Sequence, residues 1–553
     1  VRLGTVRGST PIVLDVALKP RDPAALERFA MAVSTPGSPS YRHYIAPGQF
    51  APLFGPSAAT LARVEAALRG LGLAPSGVSR NRLLVTVHTT VGRAERALHL
   101  TIGRFALPTG RVVFANGTAP MLPRTIAPSV QAVVGLDDVT RLVPGAGGAR
   151  AAGEYSAARS ATAGPKPCAN ASETGAETAN RLATAYGFEG LYAAGDLGEG
   201  ETIALFEAAA FRSSDISIYQ HCYHTATKVS VIRVDRGTSV GSGTLEATTD
   251  VDDLIGLAPK ARIRVYETSN LFQPNWLDEW ARIVDDDKAQ VISTSWLACE
   301  RYEPRGFAAT EKTLFEQAAA QGQSLLAASG DYGSEACDQF TGSTKLTVDD
   351  AASQPFATGV GGTQWRRRTP PRSGEKTWNA GKSGSSGGGL SSDWRMPSWQ
   401  AGPGVVNKYS SRRPCRAASG YCREVPDVSA LAGSPYYAFY CKAGDCSRIG
   451  GWGYFWGTSF ATPLWAAAIA LVDENCTSSP RAGFLNPALY AVAASGSYGT
   501  AFHDITRGEN DFTHSHGGKY PATAGYDLAT GLGTPIFSSR SNPSSGLAAA
   551  LCT

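Results

Sequence analysis

The apolar run Pro11-Ile12-Val13-Leu14-Asp15-Val16-Ala17-Leu18 predicts a strand, and helical spacing over 23–33, 61–68 and 91–98 predicts three helices. Further strands are expected at 82–87, 101–105 and 112–115. Residues 1–140 therefore read as a small separate α/β unit, a sheet with helices on one face. From 141 to 176 the pattern lapses into Gly, Ala, Ser and Thr, an exposed linker open to cleavage that cannot bury a core. Beyond it, strands at 202–207, 229–234, 262–267, 290–295 and 324–329 alternate with helices near 246–256, 275–285 and 309–320. That alternation predicts a doubly wound, mostly parallel sheet over 177–553. Leu464 to Val472 is continuously apolar, as a core helix is.

Composition narrows the class. A chain of 553 residues, 43% hydrophobic, holds two or three domains with sizeable cores. No apolar stretch reaches the roughly 20 residues that span a bilayer. Val1 to Val16 lacks a signal core, so the chain reads as one that has lost its leader. Its ten cysteines are even in number and lack paired zinc spacing, which points to disulfides. Cys415 with Cys422 and Cys441 with Cys446 are the local pairs expected. Asn116, Asn170 and Asn475 begin glycosylation sequons, and with the cysteines they point to an exported protein. Residues 1–140 carry 15 Lys+Arg against 7 Asp+Glu, leaving a net −4 for the remainder. The cations are dispersed arginines without an aromatic platform, which argues against nucleic acid. They suggest instead a basic unit docked on an acidic one, a contact that acid is expected to weaken by protonating carboxylates.

The candidate chemistry centres on Gly457-Thr458-Ser459-Phe460-Ala461-Thr462-Pro463, which opens the core helix. A serine in that first turn sits among unpaired N–H donors at the positive end of the helix dipole. Pro463 is read as lying where the first helical N–H groups lack an internal partner. The serine needs a base. None of the eight histidines stands in a His-Gly-Thr setting at a helix start. Glu246 and Asp250 instead lie one helical turn apart, beside the stripe Ala247, Val251, Leu254, Ile255 and Ala258. Two carboxyls forced together share a proton, so one remains a base where imidazole is cationic. Asp331, in the turn closing the apolar run Ser324-Leu325-Leu326-Ala327-Ala328-Ser329, could donate to an oxyanion if protonated.

These residues together resemble the sedolisin (serine-carboxyl peptidase) family, kumamolisin-like members included. The motifs match at Glu246, Asp250, Asp331 and Ser459 in the family's order, along with Leu257-Ala258-Pro259, Ser293-Thr294-Ser295-Trp296 and the run 385–390. The resemblance implies a subtilisin-like α/β catalytic domain at 177–553. It also implies an activation prodomain at 1–140, where Ser38-Pro39-Ser40-Tyr41-Arg42-His43-Tyr44 and Val134-Gly135-Leu136 look familiar. Glu207 and Trp296 would extend the carboxyl network. A calcium site would use the carboxylates of Asp504 and Asp527 and the carbonyls of Ile505, Thr523 and Gly525. Two departures mark the chain: Trp456 before Gly-Thr-Ser, and Ala208-Ala209-Ala210-Phe211 after Glu207. The expected protein is a secreted, acid-active endopeptidase zymogen, monomeric, inhibited by its own prodomain and activated by cutting within 141–176. A tripeptidyl exopeptidase on the same machinery is the alternative enzyme, and a catalytically silent binding protein the alternative class.

Overall fold

The computed structural model of the chain describes residues 1–145, 148–151, 164–173, 176–269, 272–366, 372, 374–402, 404–433, 438–441, 452–476, 481–539 and 545–552. The N-terminal unit contains β1 (Pro11–Leu18), α1 (Pro23–Ser34), β2 (Leu84–Thr90) and β3 (Val130–Val134). Asp22 caps α1 by accepting the Ala25 N–H, and Pro23 stands where the helix loses no bond. With Gly77–Val78 at one edge, these strands form a four-stranded antiparallel sheet. Leu14, Val16, Val85 and Val87 pack under the helices Ala58–Gly70 and Val91–Leu98.

The helices do not all share one face, contrary to the expectation. Alternation along β1 and β2 turns Ala17 and Leu84 to the opposite face. There, with Leu26 and Ala30 of α1, they join a core that continues into the rest of the chain. The hairpin of Ile102–Ala106 and Val112–Asn116 also leaves the main sheet and pairs with Arg2–Thr5 in a sheet of three.

The segment expected to be an exposed linker is partly built into the molecule. β4 (Val143–Pro144) and β5 (Gly148–Ala151) each add an antiparallel strand to the large domain. The backbone groups of this Gly/Ala-rich chain find partners there, which composition could not foretell.

The large domain is a parallel sheet in which β6 (Thr202–Glu207), β7 (Lys228–Arg233), β8 (Arg262–Glu267) and β9 (Val291–Thr294) recur as expected. Between them run α2 (Thr244–Leu257) and α3 (Gln273–Asp286). β10 (Trp296–Cys299), α4 (Arg305–Ala320) and β11 (Ser324–Ala328) follow. Two strands that sequence patterning missed, β12 (Thr358–Gln364) and β13 (Val428–Leu431), continue the sheet in the order β7–β8–β6–β9–β11–β12–β13. β12 reads Thr-Gly-Val-Gly-Gly-Thr-Gln, too rich in glycine to register as a strand. β14 (Trp452–Trp456) leads directly into α5 (Thr458–Asn475). α2 and α5 cover one face of the sheet, while α3 and α4 cover the other and carry the N-terminal unit.

Disulfides join Cys168 to Cys222, Cys299 to Cys337, Cys415 to Cys422 and Cys476 to Cys552. The expected Cys415–Cys422 pair is among them, whereas Cys446 lies outside the described residues and with it the Cys441–Cys446 pair. Among the described residues no helix is long and apolar enough to cross a membrane.

Candidate active site

α5 begins with Thr458 after Gly457, whose φ of 148° lies in the region glycine tolerates. A Cβ there would also meet the Gly145 carbonyl oxygen, Asp331 Oδ2 (2.5 Å) and Ser459 Oγ (2.9 Å). Three oxygens from distant parts of the chain thus converge over one bare α-carbon. Ser459 is fully buried, and among the described residues its hydroxyl has no hydrogen-bond partner. Pro463 proves to be the sixth residue of the helix, past the turn where a missing N–H costs nothing. It cannot donate to the Ser459 carbonyl four residues back. Ser295 Oγ donates to that carbonyl instead, at 3.2 Å.

Asp331 follows β11 and is 2% exposed. Its Oδ1 accepts from the Thr458 N–H (2.7 Å) and the Thr458 hydroxyl (2.8 Å), leaving Oδ2 on the side of Gly145 and Ser459. The run 385–390 braces this turn: Ser385 N–H donates to the Asp331 carbonyl and Gly387 N–H to that of Gly330. Gly387 has no space for a Cβ, because the Ser329 carbonyl fills that position.

Glu246 and Asp250 are both fully buried on α2, which packs lengthwise on α5. Asp250 lies beside Glu207 and Ser295, and Ser295 bonds to the Ser459 carbonyl, so Ser295 stands between the carboxyls and the Ser459 backbone. Burial pushes Asp250 well above the ordinary carboxylate range, and the adjacent Glu207 charge pushes it further. Glu207, at the end of β6, accepts from Trp296 Nε1 at 2.9 Å. Burial raises it too, against the pull of the Trp296 bond and with the charges of Glu246 and Glu279 behind it. Asp253, one turn beyond Asp250, is raised by burial and then by Asp250 and Glu246.

Sequence reading thus named most of the carboxyls here. It gave no role to Ser295, Thr458 or Glu279, whose Oε1 accepts the Glu207 N–H at 2.9 Å. Ser295 lay within a quoted motif, and Thr458 adjoined the serine. Glu279 carried no local signal.

The linker runs into this cleft. β4 pairs Pro144 with Trp296 and Val143 with Leu297, and the Gly145 N–H donates to the Ser295 carbonyl at 2.9 Å. On the far side, β5 pairs with β14 from Gly148–Trp456 to Ala151–Gly453.

The proposed cation ligands gather in another loop cluster. Asp504 Oδ2 accepts from Gly525 N–H (3.0 Å), and Asp527 Oδ2 from Thr523 N–H (3.1 Å). Among the described residues, no hydrogen bond is accepted by the carbonyls of Ile505, Thr523 or Gly525. Two carboxylates with three free carbonyls suit a hard cation such as calcium. The loop reaches back to the Asp331 brace, since Ser386 Oγ donates to the Ala529 carbonyl at 2.8 Å.

A doubly wound sheet with a serine opening a buried helix, set against acids on a neighbouring helix, defines a subtilisin-like serine peptidase. Residues 1–139 match the Pro-kumamolisin activation domain, and residues 234–487 match the subtilase family. Kumamolisin of Bacillus sp. (strain MN-32) is 33% identical over 75% of this chain and 70% of its own length. Xanthomonalisin of Xanthomonas sp. (strain T-22) is 29% identical over 95% of this chain, which spans 64% of that protein's length. Pseudomonas sedolisin, solved with two molecules of pseudo-iodotyrostatin, covers 68% of this chain and 96% of its own. Its TM-score is 0.51 and its identity 23%, a likeness of fold. The chain belongs to the sedolisin family of serine-carboxyl peptidases, and carries the family's activation domain.

Proposed function

We propose that the protein is a secreted, acid-active endopeptidase made as a zymogen, with Ser459, Glu246, Asp250 and Asp331 as its catalytic residues. One observation carries this reading: the Gly145 carbonyl oxygen, Ser459 Oγ and Asp331 Oδ2 converge over the α-carbon of Gly457. We read the Gly145 carbonyl as standing where that of a substrate would, so the bond proposed for cleavage is the one that follows Gly145.

Ser459 Oγ attacks the Gly145 carbonyl carbon while Glu246 takes its proton. Asp250, sharing a proton with Glu207, orients Glu246. The negative oxygen of the tetrahedral intermediate receives hydrogen bonds from the Ser459 N–H and from Asp331. Because Asp331 Oδ1 is engaged by two donors, its proton belongs on Oδ2, facing that oxygen. One such donor is worth roughly 10²–10³ in rate. Glu246 returns its proton to the departing Ala146 amine, and water releases the acyl-enzyme by the same steps. Acid serves this chemistry by keeping Asp331 able to donate and the Asp250–Glu207 pair supplied with its shared proton.

Described chain flanks Ser459 on both sides, with Val143–Pro144 paired to β10 and β5 paired to β14. That supports internal cleavage over removal of tripeptides, which needs a wall beyond the third residue. Until cut, the same chain fills the site, so the prodomain (1–140) and the linker (141–176) inhibit the domain at 177–553. The disulfides accord with secretion, and calcium is the cation proposed for Asp504 and Asp527. The protein acts as a monomer on protein or peptide substrates.

The test is acid incubation of the full chain followed by N-terminal sequencing. Native protein should yield a fragment beginning at Ala146, and Ser459→Ala should yield none and lose casein cleavage. Self-processing by the Ser459→Ala protein would sink the assignment.

A further inference from the structure

The N-terminal unit, the chain that leaves it and the large domain border a cavity of about 310 Å³ at their common seam. Its walls include Leu107 and Arg111 from the turn of the 102–116 hairpin, Val139 and Arg141, and Tyr302 and Phe340 of the large domain. Thr140 Oγ1 donates to the Tyr302 carbonyl at 2.7 Å, which fixes this stretch of chain to the large domain.

Two guanidiniums thus face a space that is otherwise largely apolar. Arg111 donates to the Val139 carbonyl. Burial, and then the neighbouring Arg141 charge, push Arg111 below the usual arginine range. Arg141 is less well supplied: its Nε is buried, and among the described residues its side chain makes no hydrogen bond. Asp138, the carboxyl whose field reaches both arginines, accepts the Phe114 N–H at 2.6 Å, and among the described residues it forms no ion pair with either. A guanidinium carries five donors. Two of them against one carboxyl leave a single positive charge over.

We propose that this cavity is a binding site for a small organic monoanion, a carboxylate with an unbranched apolar tail, held between Arg111 and Arg141. A guanidinium pairs with a carboxylate through a planar fork of two hydrogen bonds. Leu107, Val139 and Phe340 offer the tail an apolar bed. A chain of about eight carbons suits a space at the small end of ligand pockets. Phosphate would match the arginines but leave the apolar walls unfilled. Because both units build the site, occupancy favours the docked N-terminal unit by mass action. On the zymogen reading, on which this consequence alone rests, the ligand delays release of the prodomain after the cut.

The experiment titrates full-chain Ser459→Ala protein with sodium octanoate at pH 6.5 by calorimetry, beside octanamide and inorganic phosphate. Octanoate should bind saturably and raise Tm, with octanamide and phosphate at least about tenfold weaker. Arg141→Gln removes a group that lacks a protein partner, and should weaken octanoate about tenfold or more through loss of charge-assisted bonds. Self-processed enzyme should not bind it. Failure of octanoate to bind, equal binding of octanamide, tighter binding of phosphate or undiminished binding by Arg141→Gln overturns the site. Undiminished binding by self-processed enzyme also overturns it, by placing octanoate elsewhere. If Arg141→Gln does not fold, Arg111→Gln and the octanamide comparison decide. In native protein that has been cut, octanoate should slow loss of the N-terminal unit on gel filtration. Binding without that delay defeats the consequence for maturation, and self-processing by the Ser459→Ala protein defeats the peptidase reading while leaving the binding result standing.

Discussion

Glu207 shows how one side chain sets the pH range of its neighbours. It is fully buried, bonded to Trp296 and set beside Asp250, and its charge is one cause of the raised Asp250. Glu207→Gln keeps the shape and removes that charge, so Asp250 should lose its proton at lower pH. The alkaline limb of kcat/KM should therefore move toward acid. The rate at the optimum should fall by less than the roughly 10²–10⁴ carried by a direct proton-transfer group. A limb that stays in place would show that Glu207 serves packing alone. Ser459, Asp331 and the Glu246–Asp250 spacing could be read in the sequence because each sits in a local pattern: a turn, a strand end, a helix repeat. Ser295 could not, since its importance comes from the missing N–H of Pro463, far along the chain.

Among elements, those with a strong period were legible and those without were not. β6 and β9 stood out as apolar runs, and β8 as an alternation of charged and apolar residues. β12 was hidden by its glycines, and β4 and β5 by a composition typical of exposed chain, since strand pairing depends on the edge a segment meets. The cation loop needed the family resemblance, because two aspartates 23 residues apart carry no local signal. Its place in the structure argues for a mechanical role. Asp527 accepts the N–H groups of Ala529 and Thr530, Ser386 donates to the Ala529 carbonyl, and the segment holding Ser386 braces Asp331. Removing calcium with a chelator should lower both Tm and kcat. Asp504→Asn should reproduce the loss and make the protein insensitive to chelator. Unchanged Tm and kcat after chelation would dismiss the ion.

For the whole molecule, the decisive quantity is the sign of its response to acid. Ion pairs such as Arg80–Asp286 (3.3 Å) and Lys312–Glu27 (3.3 Å) tie the N-terminal unit to the large domain, and protonation would loosen them. Asn81 to Gln317 (2.9 Å) and Tyr44 to Ala482 (3.1 Å) join the units without charge. Asp15, buried in β1, is raised by burial to about 7, and Asp278 of α3 to about 10 by burial and then by Asp15 and Asp235. Those carboxyls favour the docked state when protonated, opposite to the loosening that net charge suggested. On the proposed zymogen reading, cutting the linker rather than acid alone is then expected to free the site. The same sign runs through the large domain: burial raises Glu300, Glu316 and Glu424 to about 7. In Asp511 burial is outweighed by N–H bonds from Gly518 and His516, so it runs the other way. A raised carboxyl holds more protons folded than unfolded between about pH 4 and pH 7, so folding stability falls as pH climbs through that window. Below it both states are protonated and nothing changes, and above it the full cost of buried charge is present. Each such group is worth up to about 3 kcal/mol over that span. Calorimetry of the Ser459→Ala protein at fixed calcium should find Tm higher at pH 4.5 than at pH 7.5 by about 5 °C or more. A Tm that is flat or rises toward neutrality would mean that these carboxyls are ionised in the folded protein, and that the acid preference proposed for it lies in catalysis alone.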